Sequence, residues 1–81
     1  MKFMWTKTIV EEFISEAMLT TEEEYILKAR AKGMSRVEIS LKMNMSISKV
    51  DKIISKIKKK YDIVSEYDPI LPKRNVQFLD N

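Results

Sequence analysis

Between residues 33 and 46 the chain twice stops a helix and starts another. The stretch "GMSRVEISLKMNMS" opens on the only glycine in an 81-residue sequence and comes to Asn44 a few turns later. Gly33 can adopt the left-handed conformation that closes a helix at little steric cost, and Asn44 is the non-glycine type that best tolerates it. Each stop is followed by a serine able to cap the next helix, Ser35 and then Ser46. Glu38 completes a capping box with Ser35, while Met34 and Met45 are placed to staple onto Ile39 and Val50. Only a helix of about two turns fits between the two stops. The spacing therefore predicts a helix–turn–helix.

Two further helices precede it. Thr8 and Glu11 read as a capping box for a first helix, whose Val10, Phe13, Ile14, Ala17 and Met18 form one apolar stripe. Glu11, Glu12, Ser15 and Glu16 lie off that stripe and are expected to face solvent. In "LTTEEEYILKARAKG" Thr20 and Glu23 form a second box, with three glutamates in the first turn suited to the helix dipole. Ile26, Leu27 and Ala31 are its core side. In the short helix after Ser35, Ile39 and Met43 are expected inside, with part of Leu41 or Ser40.

The last helix, read as residues 47–61, carries the functional argument. Val50, Ile54, Ile57 and Tyr61 fall within about 40° of one another on a helical wheel, flanked by Ile47 and Ile53. Opposite them lie Ser48, Lys52, Ser55, Lys56 and Lys59, a face of short side chains and lysines without a glutamate. Asp51 lies between the two faces. The charge of the chain is distributed in the same sense. Residues 9–24 carry six glutamates and no base, whereas residues 25–60 carry eleven Lys/Arg against Glu38 and Asp51. A basic centre of this kind suits a polyanion, although a solvated lysine face would give the same count.

The ordered pattern "LTxxExxIL…AxGMSxxEIxxxMxMSxxxV…I" over residues 19–63 resembles the LuxR/GerE-type DNA-binding domain and is similar to the fourth region of bacterial sigma factors. It is carried by Leu19, Thr20, Glu23, Ile26, Leu27, Ala31, Gly33, Ser35, Glu38, Ile39, Ser46, Val50 and Ile57. Arg30 and Ile53 lean toward the sigma pattern. Asp51 stands where both families usually place a base that contacts DNA. The resemblance implies an all-α fold, a small helix–turn–helix bundle of about four helices. It also implies sequence-specific binding of double-stranded DNA by a stand-alone transcriptional regulator of bacterial or phage type. Ser46, Lys49, Lys56 and Lys59 would hold phosphates, joined by Arg36 and Lys42 on the preceding helix. Ser48, Lys52, Asp51 and Ser55 would face base edges. Four to six phosphate contacts correspond to a salt slope of about −4 to −5.

The chain has no cysteine for a disulfide or thiolate metal site and no histidine to act as general base. No motif pairs a serine with a base, so no catalytic residue, cofactor or metal is implied. No apolar run approaches the roughly 20 residues of a membrane span, and glutamates come too early in the sequence for a signal-peptide core; a cytoplasmic chain is expected. The organisation reads as an N-terminal helix (1–18), the helix–turn–helix core (19–63) and an extended tail with Pro69 and Pro72 (64–81). The N-terminal helix either completes the core or meets a second copy, which a palindromic DNA site would need. Trp5, Val10, Phe13, Ile14 and Phe78 are the residues expected at such a dimer or partner contact. The rival reading is an adaptor that docks on RNA polymerase or another host protein through the sigma-like module.

Overall fold

A computed structural model describes residues 5–73 and contains, among them, four α-helices and no strand. They are α1 (Lys7–Ala17), α2 (Thr21–Ala31), α3 (Arg36–Met43) and α4 (Ile47–Tyr67). α4 is the axis of the bundle and packs against each of the other three. The expected all-α class and four-helix arrangement are found.

The two interior stops are built as the sequence implies. Gly33 sits at φ +97° and Asn44 at φ 54°, ψ 50°. After each, backbone N–H groups reach back to free carbonyls of the helix just ended: Met34 N to Ala29 O at 3.0 Å and Met45 N to Ser40 O at 3.0 Å. Thr20–Glu23 and Ser35–Glu38 are complete capping boxes, and the Ser46 hydroxyl accepts from Lys49 N at 3.1 Å. Met34 and Met45 both pack on the core beside the caps they precede. Arg30 is buried, and its Nη1 donates to Met34 O at 2.9 Å, which ties the α2–α3 turn to the helix before it.

The core consists of Phe13, Ile26, Leu27, Ala29, Ile39, Val50, Ile53, Ile54, Ile57, Tyr61, Val64 and Leu71. Tyr61 and Phe13 meet edge to face at a centroid distance of 5.0 Å, and Trp5 closes on Tyr61 at 6.0 Å. α1 is thereby fastened to α4 through aromatic rings. Of its stripe Phe13 is fully buried, while Val10, Ile14 and Ala17 are only partly buried against the core.

Several expectations are corrected. α1 is capped by Thr6, whose Oγ1 accepts from Ile9 N at 3.2 Å, so Thr8 lies inside the helix and forms no box with Glu11. Met18 adopts the left-handed conformation that ends α1 and is exposed rather than part of the stripe. In α3 Ser40 is buried, with its hydroxyl donating to Val37 O at 2.7 Å, while Leu41 is 76% exposed. Ile47, expected on the inner flank, is 43% exposed at the tip of α4.

α4 runs past residue 61 to Tyr67 because Val64 continues the buried row of Ile57 and Tyr61. Pro69 ends it. Asp68, the residue before that proline, turns extended at φ −101°, ψ 109°, while its N–H still bonds Val64 O at 2.9 Å. Residues 64–67 are therefore helix rather than tail. Beyond Pro69 the chain folds back on α4: Leu71 is buried, and the Tyr61 hydroxyl donates to Pro72 O. Phe78 lies outside the described residues.

Candidate nucleic-acid interface

The outer face of α4 is open. Ser48, Lys52, Ser55, Lys56 and Lys59 are all exposed, as are Ser46 and Lys49 at the helix start and Lys42 at the end of α3. None of Lys52, Lys56 and Lys59 is ion-paired among the described residues. Ser48 and Lys59 are eleven residues apart, so this face is about 16 Å long at 1.5 Å per residue. The buried row Val50, Ile54, Ile57 and Tyr61 is the reason it points outward, since hiding the aliphatic side against α1, α2 and α3 leaves the opposite side to solvent.

Asp51 does not stand alone on this surface. Arg36 Nη1 donates to its Oδ1 at 2.8 Å, joining the first residue of α3 to the second turn of α4. Both side chains are about half exposed, so the pair adds at most about 1 kcal/mol to stability. Its larger effect is local: it cancels a carboxylate that would repel phosphates and engages an arginine expected on the DNA backbone. Lys49 lies 3.8 Å from Glu22, a loose contact at the rim.

A second ion pair, which has no local signature in the sequence, anchors α4 from behind. Lys60 Nζ donates to Glu23 Oε1 at 2.6 Å, and the same oxygen accepts from Thr20 N at 2.9 Å. Burial would raise the Glu23 carboxyl, but the Lys60 ammonium and the Thr20 N–H outweigh it and hold the group below its ordinary 4.5. A depressed folded-state value means a contribution present above the unfolded pKa and lost as pH falls through the folded one. Glu23→Gln is therefore expected to cost about 2 kcal/mol at pH 7. In urea titrations from pH 7 to 3, the difference between variant and parent should shrink toward the acid end. A constant difference across that range would show that Glu23 does not act through its charge.

The partner-contact residues separate into two groups. Phe13 is fully buried and is not available to another chain. Trp5, Val10 and Ile14 are half-buried and line an open groove of about 520 Å³ between α1 and α2. Ala31 shares its apolar lining, with Lys7, Lys28 and Lys32 at the rim. α3 also shows an apolar outer side that its sequence does not announce: Val37 and Leu41, one turn apart, are 52% and 76% exposed. No helix among the described residues is long and apolar enough to cross a membrane. Comparison with family models, curated proteins and solved structures finds no match to this chain.

Proposed function

We propose that this chain binds double-stranded DNA through α3 and α4 and regulates transcription without catalysis. The observation that carries the reading is the open basic side of α4, preceded by a three-residue turn from a short helix. A helix approaches the floor of the major groove only if its outer side chains are short or extendable. Ser48 and Ser55 are short, and Lys52, Lys56 and Lys59 reach outward. Lys42, Lys49, Lys56 and Lys59 then hold phosphates, with Ser46 at the helix start, and Ser48, Lys52 and Ser55 face base edges. Ile47, exposed at the tip, is the apolar side chain suited to a thymine methyl. Asp51 is removed from direct readout by Arg36.

Selection from random duplex DNA, followed by binding titrations at several salt concentrations, tests the reading. The expected result is an enriched sequence and a log–log salt slope of about −4, for four to five phosphate contacts. Enrichment of an inverted repeat would add a second copy on the DNA. Unenriched pools with only millimolar affinity would refute it.

Val37 and Leu41 favour a second reading. Apolar side chains exposed on the outer side of α3 suit a protein partner better than a phosphate backbone. Under that reading the module is an adaptor for RNA polymerase or another host protein. Val37→Ser with Leu41→Ser would then remove function while leaving DNA affinity where it was.

A further inference from the structure

At the opposite end of α4 the fold brings two acids of α1 together with a third from far along the sequence. Glu12 and Glu16 lie one turn apart on α1, and Asp68 caps the C-terminus of α4. One carboxylate oxygen from each comes within 4.8 Å of the other two. Both glutamates lie off the apolar stripe of α1, where solvent is expected, yet Glu12 is half-buried. Asp68 is only 6% exposed, and its Oδ2 is buried without a hydrogen-bond donor. Its other oxygen accepts from Ile70 N at 2.9 Å. No Lys or Arg among the described residues pairs with any of the three.

From this geometry we infer that Glu12, Glu16 and Asp68 bind a hard divalent cation, calcium in preference to magnesium, fastening α1 to the end of α4. A buried carboxylate oxygen with no donor calls for a positive partner. The end of α4 supplies the same demand, because its last carbonyls carry the negative pole of the helix dipole. The choice of ion follows from the ligands. Calcium accepts several carboxylates in irregular geometry, whereas magnesium demands a near-ideal octahedron and gives up its water reluctantly. With three protein oxygens, and water completing the shell, the dissociation constant falls at about 0.1–1 mM. Cation binding at this end of the bundle does not depend on DNA binding at the other.

Calcium titration of the full chain, by calorimetry and by thermal unfolding, tests it directly. Terbium serves as a second probe, with Tyr61, whose hydroxyl donates to Pro72 O four residues beyond Asp68, as the sensitising ring. One ion per chain, a rise in Tm with added calcium and sensitised terbium emission are expected. Glu16→Gln, at an exposed position, should weaken calcium binding about ten-fold with the fold intact, and Glu12→Gln should do the same while stabilising the metal-free chain. Magnesium should compete only at higher concentration. The proposal fails if roughly 10-fold excess over the expected constant, about 10 mM calcium, leaves Tm and terbium emission unchanged. It also fails if lowering the pH stabilises the chain while calcium does not, because the acids would then share a proton. Calcium binding that survives both glutamine variants undiminished would overturn it equally.

Discussion

Reversing the charge of Lys52 and Lys56 together should lower DNA affinity by about 10²–10³-fold and reduce the magnitude of the salt slope by about 2. Both side chains are exposed and neither is ion-paired among the described residues, so their ammonium groups are available to phosphates and base edges. Lys→Glu at each site removes an attraction and adds a repulsion. Because neither side chain supports the core, stability should stay within about 0.5 kcal/mol of the parent. Fluorescence anisotropy with a labelled duplex, read beside a thermal melt, separates the two effects. Unchanged DNA affinity in a folded double variant would remove α4 as the binding face. An adaptor would keep its partner through the same change, so a pull-down on the double variant distinguishes the two readings.

Tyr61→Ala is expected to be the most destabilising single truncation in the bundle. Tyr61 heads the fully buried side chains by volume, stacks edge-on against Phe13 and Trp5, and donates its hydroxyl to Pro72 O. Loss of a buried aromatic costs about 3–5 kcal/mol. A domain of this size has roughly 4–12 kcal/mol in total, so Tm should fall by about 20 °C or more. Tyr61→Phe separates ring from hydroxyl. It keeps the aromatic contacts, leaves one carbonyl without its donor and should cost about 1 kcal/mol.

The same pair of variants isolates an alkaline effect. Burial, then the charges of Asp62 and Asp68, push the Tyr61 hydroxyl up to about 12. A raised folded-state value gives a contribution intact below the unfolded pKa of about 10 and lost as pH rises toward the folded one. The parent should therefore lose more stability than Tyr61→Phe between those two pH values. Parallel pH profiles would mean that the phenol is not held in its neutral form by the fold.

What the sequence makes legible is local. Thr20 with Glu23, Ser35 with Glu38, Ser46, Gly33 and Asn44 each act within one helical turn, and each acts where its residue type implies. The apolar row of α4 is legible for the same reason, because a period of 3.6 is a property of neighbouring residues. Choices between equivalent residues are not. Thr6 and Thr8 are both competent caps by residue type, and it is Thr6 that accepts from Ile9 N. Ser40 and Leu41 compete for the inside of an eight-residue helix whose orientation is set by its neighbours rather than by its own stripe. Least legible are the charge pairings across the fold. Glu23 meets Lys60, Arg36 meets Asp51, and Glu12 meets Asp68 only once the bundle has closed. Of the basic face, the lysines of α4 are exposed as their spacing implies, whereas the pairing that engages Arg36 has no local signature.

α4 has neither proline nor glycine between Ile47 and Tyr67, so it contains no hinge. Its 21 residues make one lever about 31 Å long, with Ser46 at one end and the α1 contact at the other. Pivoting that lever by about 5° at Tyr67 would swing Ser46 through roughly 2–3 Å, comparable to a hydrogen-bond length. A shift at the distal end reaches the tip only by moving Val50, Ile54 and Ile57 in the core as well, so the exposed serines and lysines keep one alignment while the bundle stays packed.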